Sequence, residues 1–166
     1  MKTTRGFSIV EVLVALVVLS IGMLGIAALY VESLRAGRTA VYRTQAVNLA
    51  SDLADRIRAN RQARQAYQLD AGTDPGTAND CQPTAGNASV NCSQDDLAQD
   101  DLVRWVSAIQ EQLPGNGQSG DNALPRGTVN VADLDDGTFR YTIQISWAEI
   151  GQDEDTPLTY VLELQI

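Results

Sequence analysis

Val12 to Val31 is a run of 20 residues without a charge, interrupted only by Ser20, Gly22 and Gly25. As a helix rising about 1.5 Å per residue it reaches about 30 Å, the thickness of a bilayer's hydrocarbon core. A buried core helix is the alternative, but the run has no polar stripe, so its length predicts a membrane span. Met1 to Gly6, with Lys2 and Arg5, is short and basic, and those charges should stay cytoplasmic. A secretory signal would end in a small-residue cleavage site. Ala27-Ala28-Leu29 is a weak candidate, yet the helical pattern runs on past it without a turn residue. One carboxylate, Glu11, stands at the edge of the span. An acid at mid-membrane costs about 2.5–3.5 kcal/mol and less near the interface, so Glu11 is a functional candidate, with a headgroup-facing acid as the bland reading.

Composition removes several function classes. The 166 residues allow one ordinary domain plus one extra element. A net charge of −9 argues against nucleic acid as a partner, because phosphate binding needs a basic footprint. With no histidine, Ser-His-Asp and Cys-His nucleophile pairs are excluded. Two cysteines cannot build a structural zinc site, and Cys81 and Cys92 are too far apart for a CxxC redox pair. They can form one disulfide, expected in an oxidising compartment, whose loop of about 12 residues would stabilise the fold by about 2–3 kcal/mol. Asp133-x-Asp135-Asp136-Gly137 approaches a calcium loop, but its glycine falls one position early and Gln144 stands where Glu is needed. Gln152-Asp153-Glu154-Asp155 reads as a solvated turn, and the adjacent pairs Asp95/Asp96 and Asp100/Asp101 as helix-start charges. No catalytic constellation, metal site or cofactor is expected.

The helical pattern continues past the span, to about Tyr67. Leu49, Leu53 and Ile57 recur every four residues, with Leu34, Val41 and Ala46 continuing the stripe. Residues 32–67 hold seven arginines against three acids, whereas from Gln68 onward three arginines face seventeen acids. That asymmetry predicts either a solvated face with local pairs such as Asp52–Arg56, or a basic helix meeting an acidic surface of its own head or of a neighbour. Residues 68–96 form a long loop that the disulfide would tie down. A helix over 97–113 is expected, capped by Asp100 or Asp101, with Leu102, Trp105, Val106, Ile109 and Leu113 on one face. Strands fill 127–166: Gly127 to Ala132, a turn at Asp135-Asp136-Gly137, then Tyr141 to Trp147 and Leu158 to Ile166 in alternation. The expected fold is α+β, a long N-terminal helix packed on a small antiparallel β-sheet head.

Gly6-Phe7-Ser8-Ile9-Val10-Glu11 and the apolar run behind it resemble the class III leader of type IV pilins and type II secretion pseudopilins. The resemblance implies the type IV pilin fold. It also implies a leader of residues 1–6, cut between Gly6 and Phe7 by an inner-membrane peptidase that methylates Phe7. Residues 7–31 would be the transmembrane and filament-core half of the helix, residues 32–67 its amphipathic half, and 68–166 a periplasmic head. Glu11 would pair with the N-terminal amine of a neighbouring subunit; four residues from that amine, it also offsets the positive charge at the helix start. Ala50-Ser51-Asp52-Leu53-Ala54-Asp55-Arg56-Ile57-Arg58-Ala59-Asn60-Arg61 is similar to a segment of PilV-type minor pilins, the type IV pilus modification proteins. The later order of cysteine, helix with Trp105, Leu113-Pro114-Gly115 and a strand ending in Trp147 agrees with it. The implied role is a minor pilin that helps to prime pilus assembly, with other minor pilins, the major pilin and a tip adhesin as partners and twitching motility and adhesion as outcomes. A minor pseudopilin of type II secretion and a membrane-anchored binding protein that never polymerises are the alternatives.

Overall fold

A computed structural model describes residues 6–79, 81, 91–119, 122–149 and 157–166. Its elements are α1 (Ile9–Ala59), a 3₁₀ turn (Arg64–Tyr67), α2 (Gln94–Gln112), β1 (Arg126–Asp133), β2 (Phe139–Trp147) and β3 (Leu158–Gln165). The chain divides into two compact units, Met1–Arg38 and Thr39–Ile166.

In the first unit every described side chain from Gly6 to Arg38 is exposed. Its large apolar residues are at least half exposed, from Val12 at 50% to Ile9 at 84%. No polar face breaks this surface between Val12 and Val31, and α1 is long and apolar enough there to cross a membrane. A helix of this composition cannot stand in water without a partner phase.

In the second unit α1 buries a stripe of Ala46, Leu49, Ala50, Leu53, Ala54 and Ile57. Leu34 and Val41, expected on that stripe, are instead exposed, so the buried face starts only at Ala46, with Tyr42 half-buried beside it. The helix also stops earlier than its pattern implied, at Ala59 rather than near Tyr67. Beyond Asn60 the chain tightens into the 3₁₀ turn, entered through Arg64 at φ 45°, and buries Ala63 and Tyr67 in a direction the helix could not supply.

The sheet is a meander in the order β1-β2-β3, antiparallel throughout, with Val129 opposite Ile143 and Ile143 opposite Leu162. Period-two alternation puts Val129, Tyr141, Ile143, Ile145 and Leu164 into one core with the α1 stripe and with Leu102, Trp105 and Ile109 of α2. The outer face carries Thr128, Asn130, Thr142, Gln144 and Thr159, none of which joins that core. Gly127 is needed at the β1–α2 contact, because a Cβ there would lie under 3.0 Å from the Trp105 ring and from Ile109 Cδ1.

Two expectations about acidic pairs change. α2 is capped by Ser93 rather than by Asp100 or Asp101: Ser93 Oγ accepts from Asp96 N at 3.1 Å while Ser93 N donates to Asp96 Oδ2 at 3.0 Å. Asp95 and Asp96 are indeed first-turn charges, but Asp100 and Asp101 sit a full turn further in and are held by arginines. Asp133 and Asp136 serve the β1–β2 turn, accepting from the N–H groups of Asp135 and Thr138 at 3.1 and 2.9 Å. Asp153, Glu154 and Asp155 lie outside the described residues.

Candidate functional site

The chain starts α1 at Ile9, with Ser8 O accepting from Glu11 N at 3.1 Å and Val12 N at 3.2 Å. Glu11 is therefore a first-turn residue, where its charge opposes the positive end of the helix dipole. Gly6, Phe7 and Glu11 are all exposed, and a Cβ at Gly6 would meet nothing within 4 Å. Lys2 and Arg5, like the rest of Met1 to Arg5, lie outside the described residues.

The second cluster lies on the segment from Ala50 to Arg61. Asp52, Arg56 and Asn60 are four residues apart and so continue one line along the end of α1 and the residue just past it, beside the buried Leu53 and Ile57. Arg56 Nε donates to Asp52 Oδ2 at 2.9 Å, the expected local pair, and its Nη1 reaches Asp101 Oδ1 of α2 at 2.8 Å. Tyr67 donates its hydroxyl proton to Asp101 Oδ2 at 2.8 Å, and Asn60 Nδ2 donates to Gln94 O at 2.8 Å. One carboxylate thus holds the end of α1, the 3₁₀ turn and α2 together. Burial opposes the charge on Arg56, yet the hydrogen bonds to Asp101 and Asp52 outweigh it and raise its pKa. Burial first, and the bond to Asp101 second, push the Tyr67 phenol well above its ordinary value. A turn further along α2, Trp105 Nε1 donates to Leu49 O at 2.9 Å inside the core.

Asp101, Tyr67 and Asn60 were not legible as a set in the sequence. The four-residue spacing of Asp52, Arg56 and Asn60 was the available signal, since a polar line bordering a buried stripe asks for partners from the next layer. Among the described residues the basic-helix reading is met by Arg56, whereas Arg35 and Arg58 pair within α1, with Glu32 at 3.9 Å and Asp55 at 2.7 Å.

Cys81 and Cys92 are joined in a disulfide with Cα atoms 5.8 Å apart. The bond lies directly before the Ser93 cap, so it ties the loop to the start of α2. The same loop is held a second time, by Gln99 Nε2 donating to Pro75 O and Thr77 O at 3.4 Å each and by Asn79 Nδ2 donating to Gln99 Oε1 at 3.1 Å.

Residues 1–27 match the prokaryotic N-terminal methylation motif, and residues 28–103 match the family of the type IV pilin Tt1218. The two matches abut, and together they cover the exposed apolar helix, the polar clamp and the first half of α2. The chain belongs to the type IV pilins. No curated protein and no solved structure gives a significant match. A long N-terminal helix with a small three-stranded antiparallel sheet is the pilin fold, and pilins are structural proteins. The methylation motif implies leader-peptidase processing and assembly with other pilins, and the bare apolar helix suits membrane anchoring and a place in the pilus.

Proposed function

We propose that this pilin is a minor pilin that helps to prime type IV pilus assembly, supporting pilus extension, twitching motility and adhesion, and that it has no enzymatic activity. The leader ends at Gly6, the cut exposes Phe7, and Phe7 is methylated. Glycine suits a peptidase cleft because an extended backbone without a side chain enters it unhindered. Glu11 then pairs with the N-terminal amine of the adjacent subunit, an attraction strengthened by the apolar surroundings of packed helices and opposed by desolvation. The head, residues 68–166, stands on the periplasmic side of the inner membrane, where the disulfide is stable. The observation that carries this reading is the exposed, predominantly apolar surface from Phe7 to Val31 directly behind Gly6, with a single acid, Glu11, in it.

The deciding experiment is the intact mass and N-terminal peptide of the protein isolated from its membrane. The expected result is a methylated N-terminus at Phe7, and Gly6→Val should accumulate the unprocessed chain. A wild-type chain still beginning at Met1 with the peptidase present would sink the filament reading and leave a plain membrane-anchored domain. Deletion should abolish piliation; if it blocked exoprotein release and left pili intact, the chain would be a pseudopilin of type II secretion.

A further inference from the structure

The two edges of the sheet are treated differently. On the β1 side, Leu69 and Val129 exchange backbone hydrogen bonds of 2.9 Å in both directions, and Gln68 Oε1 accepts from Val131 N at 2.8 Å. That edge is closed by the segment that follows the 3₁₀ turn. On the β3 side the phase of the ladder is set by Phe139 and Ile166, which exchange bonds of 2.8 and 3.0 Å. In an antiparallel pair, hydrogen-bonded positions recur every second residue. Leu158, Tyr160, Leu162 and Leu164 therefore aim their N–H and C=O groups at β2, while Thr159, Val161, Glu163 and Gln165 aim theirs outward. Among the described residues no backbone group takes them up.

An open edge is a template for another strand, and proteins usually blunt it with Pro, Lys, a bulge or a cover. β3 has no Pro, Lys or bulge in LTYVLELQ, and among the described residues no strand covers its outer edge. Core cover also thins along β3: Leu164 is buried, but Leu162 and Tyr160, neighbours of the fully buried Ile143 and Ile145 of β2, are only partly so. On the opposite face Val161 is 48% exposed. The charge on β3 itself is acidic. From Tyr141 to Ile166 the sequence has five acids and no Lys or Arg, and Glu163 is the only charged side chain on β3. The nearest cation of that face, Arg140, is one strand in, opposite Gln165.

We propose that the free edge of β3 docks an extended, basic segment of a partner polypeptide as a fourth strand. Its backbone answers Thr159, Val161, Glu163 and Gln165. Its apolar residues lie beside Leu158, Tyr160 and Leu162, and its Lys or Arg residues lie on the face of Glu163. A second copy of this head fits less well, because it brings the same acidic edge. The inference rests on the second unit alone and is independent of the minor-pilin reading.

The test uses the full chain in detergent micelles with two nine-residue peptides, one alternating Val with Lys and one alternating Val with Glu. Amide hydrogen exchange is read residue by residue. The Val/Lys peptide should slow exchange at Thr159, Val161, Glu163 and Gln165 by at least tenfold, leave Tyr160 and Leu162 unchanged, and outcompete the Val/Glu peptide. Val161→Pro removes an outward N–H that β2 does not use and should abolish the protection with the near-UV CD of Trp105 and Trp147 retained. Glu163→Lys, an exposed substitution that leaves the backbone intact, should reverse the peptide preference. Equal protection by both peptides, or protection away from β3, would overturn the proposal. So would concentration-dependent protection of the same amides without peptide, which would assign the edge to a second copy.

Discussion

Asp101→Ala should be among the most damaging polar substitutions in the head, although in sequence the side chain looks like any other of its seventeen acids. Asp101 is only 16% exposed and accepts from Arg56, itself 31% exposed, and from the buried hydroxyl of Tyr67. Removing the carboxylate takes away one charge-assisted hydrogen bond, worth about 1.5 kcal/mol here because Arg56 keeps Asp52 and some water. It also leaves the Tyr67 hydroxyl short of its acceptor in the interior, about 1–2 kcal/mol more. A loss of about 3 kcal/mol should lower the melting temperature of a head of this size by about 10 °C. Asp101→Asn keeps an acceptor for Tyr67 and should show about half the effect. Arg58→Ala is the control, because its pair with Asp55 joins side chains 55% and 75% exposed and should be worth under about 0.5 kcal/mol. The assay is thermal unfolding of the full chain in detergent, followed by near-UV CD of Trp105 and Trp147. An Asp101→Ala shift no larger than that of Arg58→Ala, or a double-mutant cycle with Tyr67→Phe that shows no coupling, would refute the clamp.

Three further outcomes are expected. Cys81→Ser should cost about 2–3 kcal/mol of head stability by urea unfolding, since it reopens the loop ahead of the Ser93 cap. Gly127→Ala should destabilise by more than about 1 kcal/mol, because the new methyl meets the Trp105 ring and Ile109; pairing it with Trp105→Leu should recover part of the loss, and full additivity of the two would contradict that packing. The Tyr67 phenol, raised by burial and by Asp101, keeps its proton in the fold when an unfolded tyrosine gives it up. Its contribution is thus complete below about pH 10 and fades as pH climbs toward the folded value. Ultraviolet titration of the folded protein to about pH 11 should have the same amplitude in Tyr67→Phe as in wild type, and a reduced amplitude in the variant would place Tyr67 among the ordinary phenols.

The parts of this pilin that were legible from sequence are those with one dominant periodicity or a fixed local chemistry. A charge-free run has a single use for its surface, so Val12 to Val31 declares itself without reference to the head. Strict alternation in Tyr141 to Trp147 and Leu158 to Leu164 has one way to bury a face, and the turn at Asp135-Asp136-Gly137 is local. What sequence pattern misjudged was settled between elements. Helical periodicity ran on to Tyr67 because Ala63 and Tyr67 are core residues too, but they are delivered by a 3₁₀ turn whose direction depends on Asp101 and Val129 lying in reach. Leu34 and Val41 continued the apolar stripe in one dimension, yet the fully buried stripe starts only at Ala46, and they stay 50% and 55% exposed. The charge asymmetry was real, but among the described residues it meets the head as one ion pair, Arg56 with Asp101, and as Arg64 stacked over the Phe139 ring rather than on an acid. Among the described residues Asp100 is buried against Arg104, whereas Glu163 stands exposed on β3, and it is that exposed charge on which the proposed choice of a basic strand rests.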